Sequence, residues 1–121
     1  MHRVFVTGGT GFIGANLIRR LLREGCKVHV AVRETTSDWR IRDIRDEIQL
    51  HVVNLADATS TASLLRDVAP DTIYHLASFG SSSWQTDFAL MIDSTLLSTH
   101  NLLQAASGLD VATFVYTGSS S

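Results

Sequence analysis

A short apolar run, Arg3-Val4-Phe5-Val6-Thr7, leads directly into Gly8-Gly9-Thr10-Gly11-Phe12-Ile13-Gly14, and a helical apolar period follows. Glycines at this spacing, between a strand and a helix, constrain the chain more than any other feature. Gly8 permits the tight turn out of the strand. Gly11 lets backbone approach a pyrophosphate with no Cβ in the way, and Gly14 lets the helix pack closely on the sheet. The first N–H groups of that helix, around Phe12 and Ile13, have no partner within it and suit an anion. Glycine-rich turns are common, so the triplet alone says little. The strand before it, the helix after it and the next strand in register are the context the motif requires. The loop has no Gly-Lys-Ser/Thr ending, which excludes a nucleoside-triphosphate P-loop.

Apolar runs at residues 3–7, 27–32, 48–53, 72–76 and 111–116 alternate with amphipathic stretches. That alternation predicts repeated β-α units around a parallel sheet, an α/β fold. Their Val and Ile content predicts strands covered on both faces, the fifth included. Residues 12–24 read as a helix with Ile13, Leu17, Leu21 and Leu22 as its buried stripe and Gly25 at its C-cap. Residues 37–47 are a weaker, charge-rich helical stretch. Residues 57–68 read as a helix capped by Asp57, with Leu64, Leu65 and Val68 inward. The longest helix runs over about 86–107, where Phe88, Ile92, Thr95, Thr99, Leu102 and Ala106 share a face. Leu90 and Leu97 fall on another side, so the helix packs on the sheet alone or also meets a partner helix.

The bulk properties remove several function classes. The 121 residues make one domain with a modest core, small for a complete two-lobed enzyme. A net charge of −2 leaves no basic face for nucleic acid. No apolar stretch reaches the length of a membrane span, and the early first strand leaves no room for a signal peptide. Cys26 is the sole cysteine, so no internal disulfide forms, and a cytoplasmic location is expected. The scattered His2, His29, His51, His75 and His100 show no metal-ligand spacing, so no metal is expected.

Cofactor choice turns on the end of the second strand, Val32-Arg33-Glu34. NAD sites usually place a carboxylate there, about 20 residues past the glycine loop, against the ribose 2′-OH. Arg33 stands in that place, and a guanidinium pairs with a 2′-phosphate as a fork of donors, so NADP is expected over NAD. A competing reading leaves Arg33 solvated and gives the hydroxyl to Glu34.

Thr7-Gly8-Gly9-Thr10-Gly11-Phe12-Ile13-Gly14 resembles the loop of the extended short-chain dehydrogenase/reductase family, the nucleotide-sugar epimerase/dehydratase group. Pro70-Asp71-Thr72-Ile73-Tyr74-His75-Leu76-Ala77-Ser78 is similar to that family's fourth strand and cofactor-side loop. Asn101-Leu102-Leu103-Gln104-Ala105-Ala106 resembles the end of its long helix, and Phe114-Val115-Tyr116-Thr117-Gly118-Ser119-Ser120 its fifth strand and active-site turn. The resemblance implies a Rossmann-type three-layer sandwich, strand order 3-2-1-4-5, incomplete beyond the fifth strand. It places Asn54-Leu55 beside the adenine, where the family typically has Asp-Leu or Asp-Ile. It places Leu76, Ala77 and Ser78 along the cofactor trough, and Thr95 where the family often has Asn. His75 reads as a packed or hydrogen-bonded histidine and not as a catalyst.

The same resemblance makes Ser119 the catalytic serine that hydrogen-bonds the reacting oxygen, with Ser120 second. A polar loop without chemistry is the competing reading of 117–121. The family's Tyr-x-x-x-Lys pair is not in this sequence: Tyr74 and Tyr116 are followed four positions on by Ser78 and Ser120, and Lys27 is the sole lysine. The expectation is therefore the N-terminal part, residues 1–121, of a longer NAD(P)-dependent enzyme. That enzyme would act on a nucleotide sugar by hydride transfer and form a homodimer when intact. The polar loop 78–84, ending in Trp84, suits a place facing substrate or a plain surface position. A non-catalytic NADP-binding module, and an NADPH-dependent reductase of a non-sugar ketone, are the alternatives.

Overall fold

The computed structural model describes residues 2–33, 37–76 and 96–117. In chain order these form β1 (Arg3–Thr7), α1 (Phe12–Arg23), β2 (Lys27–Val32), a 3-10 segment (Arg42–Glu47) and β3 (Gln49–Val52). Then come α2 (Ala58–Val68), β4 (Thr72–His75), α3 (Ser98–Ser107) and β5 (Thr113–Tyr116). The strands make one parallel sheet ordered β3-β2-β1-β4-β5, the Rossmann arrangement the sequence predicts. Chain direction across the sheet reverses between β1 and β4, and such a switch point opens a crevice at the carboxyl ends of the strands.

Alternation along the strands divides the core into two halves. Val4, Val6, Val28 and Val30 face α1 and the 3-10 segment, meeting Ala15, Ile18, Leu21, Ile41 and Ile44. Phe5, Ala31 and Ile73 face the other way and meet Leu65 and Val68 of α2 and Leu102 of α3. The result is three layers, with helices over both faces of the central strands.

The buried stripe of α1 differs from the expected one. Gly14, Ala15, Ile18 and Leu21 are buried, Leu17 and Leu22 are half-buried, and Ile13 is 69% exposed. The small Ala15 and the long Ile18 fit the valine face of β1 and β2 at close range, which turns Ile13 outward. The helix ends as Gly25 suggests. Gly25 has φ +82°, its N–H donates to the Leu22 carbonyl, and the Cys26 N–H donates to the Leu21 carbonyl. Those two bonds form a Schellman motif.

Two further expectations are corrected. Residues 37–47 are not one helix; Arg42–Glu47 forms a 3-10 segment with Ile44 buried on one side, preceded by a turn over 39–41. The fifth strand is not buried on both faces here: β5 ends the sheet of the described residues, with Val115 37% and Tyr116 47% exposed. An edge strand has a neighbour on one side only, so apolar composition alone does not bury it. Of the long helix, Ser98–Ser107 lies among the described residues, and 86–95 lies outside them. Asp57 caps α2 as predicted, accepting from the Thr59 N–H at 3.2 Å.

Among the described residues, no helix is long and apolar enough to cross a membrane. Among them, too, no group of three or more His, Cys, Asp or Glu side chains is arranged to hold a metal ion.

Candidate functional site

The glycine loop sits at the carboxyl end of β1, beside the switch point. Gly8 has φ +73°, the left-handed turn that takes the chain out of the strand. The Gly11 N–H closes the loop on the Gly8 carbonyl at 3.2 Å. Gly11 then serves as the N-cap of α1 in extended conformation, with no side-chain cap and no acidic residue in the first turn. The leading N–H groups of α1 therefore meet no carboxylate of that turn, and the helix end keeps its partial positive charge.

Each glycine differs in what a side chain would meet. A Cβ on Gly11 would find only the Gly8 carbonyl oxygen, at 3.5 Å, so the cradle is open at this point. A Cβ on Gly14 would sit 2.1 Å from that oxygen and 2.7 Å from the Gly9 Cα. Gly14 thus brings the helix against the loop itself and not against the sheet. Close packing toward the core belongs to Gly9, where a Cβ would meet Ile18 Cδ1 at 2.6 Å and Val30 Cγ1 at 2.8 Å. Sequence reasoning gave Gly9 no task, although its place between two assigned glycines was the available signal.

The neighbouring strand ends bring further groups to this edge. Arg33 follows β2 and is exposed. Asn54 follows β3; its side-chain oxygen accepts from the Ala56 N–H at 3.1 Å, an Asx turn that shapes the chain before α2. The Leu55 carbonyl accepts from Asn101 Nδ2 of α3 at 2.8 Å and lies 3.2 Å from Thr61 Oγ1 of α2, whose hydroxyl is also 2.8 Å from the Asp57 carbonyl. Leu76 follows β4 and is half-buried. Gly8, Gly11, Phe12, Ile13, Gly14, Arg33, Asn54, Leu55 and Leu76 thus gather at or just beyond the carboxyl edge. Ala77, Ser78, Thr95 and Ser119, with Glu34 and the 78–84 loop, lie outside the described residues.

Arg40 was not foreseen. Its Nη1 donates to the Thr10 carbonyl at 3.1 Å, inside the glycine loop, and its guanidinium lies 4.4 Å from the Trp39 ring centroid. Arg19 of α1 holds the same segment, with Nη2 donating to the Arg40 carbonyl at 2.6 Å and both terminal nitrogens on Asp43 at 2.8 and 3.0 Å. Hydrogen bonding to Arg19 keeps the Asp43 carboxyl below its ordinary range. No local pattern signals a contact that spans the chain from Thr10 to Arg40.

His75 is fully buried at the end of β4, as its packed reading expects. Its Nδ1 is 2.6 Å from Thr7 Oγ1 and its Nε2 is 2.9 Å from Thr99 Oγ1. Burial holds the imidazole down at about 4, so it is neutral at physiological pH. A groove of about 540 Å³ between α2 and α3, lined by Ala58, Ala62, Arg66 and Gln104 among others, includes no glycine-loop residue.

Comparison with known proteins agrees with this arrangement. The profile of the NAD dependent epimerase/dehydratase family matches residues 4–121. The chain is 30% identical over 105 residues to UDP-glucose 4-epimerase of Mycoplasma pneumoniae, covering 85% of this chain and 31% of that protein. It is 37% identical over 124 residues to the chloroplastic divinyl chlorophyllide a 8-vinyl-reductase of Zea mays, covering 93% and 29%. The crystal structure of the Bordetella bronchiseptica enzyme WbmH in complex with NAD+ aligns with a TM-score of 0.83 at 27% identity, over 96% of this chain and 38% of that one. The chain spans about a third of the length of the curated relatives it matches.

Proposed function

The chain belongs to the NAD dependent epimerase/dehydratase family, and from that premise we propose that it is the NADP(H)-binding part of an epimerase, dehydratase or reductase acting on a nucleotide sugar. The observation that carries this reading is the open cradle at Gly11. It lies at the uncapped, acid-free start of α1 and beside the switch point of the sheet. A pyrophosphate placed there meets backbone N–H groups of Phe12, Ile13 and Gly14, and no Cβ stands in its way.

The remaining assignments follow the strand ends. Arg33 takes the 2′-phosphate as a bidentate donor, with Arg40 close by on the loop side. Asn54 and Leu55 border the adenine, while Leu76, Ala77, Ser78 and Thr95 border the other half of the dinucleotide. The cofactor supplies the hydride chemistry when bound. This chain's residues bind and orient it, and Ser119 hydrogen-bonds the reacting oxygen of the sugar. Neither Tyr74 nor Tyr116 is followed four positions on by lysine, so this reading assigns the acid/base step to no residue of these 121. The intact protein is a homodimer in this reading; Leu96, Leu97 and Leu103 of the α3 region, 64%, 40% and 49% exposed, offer an apolar face for it.

Fluorescence titration with NADPH and NADH tests the proposal. The expected result is tighter NADPH binding, with Arg33→Gln removing the preference; a chain that binds neither overturns it. The similarity to a vinyl-reductase favours, as a second reading, reduction of a non-sugar substrate. Analysis of the sugar product, alongside NADPH oxidation with non-sugar substrates, separates the two in the intact protein, because an epimerase or dehydratase returns its hydride within each turnover and consumes no net NADPH. Binding without turnover on any of them leaves a non-catalytic module.

A further inference from the structure

Four elements converge on one side chain at the carboxyl edge. His75 of β4 contacts Thr7 of β1 through Nδ1 and Thr99 of α3 through Nε2. Its ring stacks on Tyr116 of β5, with centroids 5.3 Å apart and planes 21° apart. The Thr7 hydroxyl oxygen also accepts from the Leu76 N–H at 3.1 Å, and the Thr7 carbonyl accepts from that N–H at 3.2 Å. A neutral imidazole carries one N–H, so one threonine donates to the ring and the other accepts from it. The two contacts fix the orientation of the ring, and the peptide after β4 is pinned to the strand that launches the glycine loop.

This network lies on the β4 side of the switch point. In sheets of this order the two mononucleotide halves of a dinucleotide lie on opposite sides of that point, with the adenosine half over β1 to β3. His75 has no exposed surface, so it acts through others. We propose that His75 is a positioning residue for the nicotinamide half of the cofactor: with its ring held by Thr99, it orients Thr7, which fixes Leu76 beside the start of the glycine loop. The inference rests on the dinucleotide reading above.

The two fail differently in one experiment. Dissociation constants are measured for the preferred dinucleotide and for its adenosine half alone, 2′,5′-ADP for NADPH or ADP for NADH, alongside Tm. His75→Leu is expected to weaken the dinucleotide at least tenfold and the adenosine half less than twofold. His75→Gln, which keeps hydrogen-bonding atoms, recovers part of the loss. Thr99→Val, nearly isosteric and on α3, gives the same split more weakly and serves where His75→Leu does not fold. Equal losses for both ligands that track Tm, or no loss for either, overturn the proposal. A wild-type chain that binds neither ligand sinks the dinucleotide reading and this inference with it.

Discussion

His29 Nδ1 and His51 Nε2 lie 2.9 Å apart, with rings stacked at 5.2 Å, and so tie β2 to the edge strand β3 by side chains as well as by backbone. The two stand diagonally in the ladder, since His29 pairs with Gln49 and Ala31 with His51. His29 is buried among apolar neighbours of the α2 face, while His51 is half-buried. A hydrogen bond between two imidazoles needs one bare nitrogen, so the contact is lost once both rings are protonated.

Stability is therefore expected to fall in mild acid. Burial first, then His51, Lys27 and Arg3, hold His29 down at about 4, and burial holds His51 low against the pull of Asp67. His75 shifts the same way. The unfolded chain takes up these protons near pH 6.5 and the folded chain only well below it. The stabilisation is thus full above about pH 6.5 and is lost as pH falls toward about 4. Urea midpoints should correspond to a loss of roughly 1–3 kcal/mol between pH 7.5 and pH 5. His29→Leu should flatten the profile in part; a wild-type midpoint unchanged over that range contradicts the assignment.

Two glycine substitutions should separate folding from binding. Gly14→Ala forces a Cβ to 2.1 Å from a backbone oxygen. It should destabilise by about 3 kcal/mol or more, or yield insoluble protein. Gly11→Ala has room, and its φ of −78° suits any residue, so Tm should move little. NADPH affinity should nonetheless drop at least tenfold, because the new methyl occupies the cradle. Equal melting temperatures for the two variants would refute this division of labour.

Ala69 ends α2 with φ +48°, in the left-handed region, while its N–H donates to the Leu65 carbonyl at 2.8 Å. A Cβ in that conformation costs about 1–2 kcal/mol, partly offset by glycine's greater unfolded-state freedom. Ala69→Gly should raise stability by up to about 1 kcal/mol in urea unfolding. A lowered midpoint would show that this helix end is not strained.

Asn101→Leu should cost about 1 kcal/mol, read from the same unfolding curves. The Leu55 carbonyl would lose the 2.8 Å bond from Asn101 and keep only the 3.2 Å contact from Thr61, whose single hydroxyl hydrogen it shares with the Asp57 carbonyl at 2.8 Å. A loss above about 3 kcal/mol would mean that Thr61 does not hold the carbonyl alone.

Local rules carried much of the fold. The period of the apolar residues located α1 and α2, Asp57 announced its cap, and Gly25 its Schellman end, because each of these acts within a few residues of chain. The glycine loop was legible for the same reason: its turn, its open cradle and its helix start are all local. Where the sequence misled, a neighbour from elsewhere in the chain was deciding. Ile13 followed the apolar period yet points outward, since Ala15 and Ile18 already occupy the valine face. Tyr116 and Val115 look like core residues, and they are half-exposed where β5 ends the sheet of the described residues.

The sequence by itself determined the β-α alternation, the parallel sheet and where an anion can meet the start of α1, while the strand order came through the family resemblance. Tertiary structure alone decided that Arg40 reaches Thr10, that Asn101 holds Leu55, that His29 meets His51 and that His75 joins Thr7 to Thr99. The physical reason is distance along the chain. Caps, turns and amphipathic stripes are satisfied by adjacent residues, whereas the partner of a buried polar side chain is chosen by sheet register and helix packing, which no local stretch encodes.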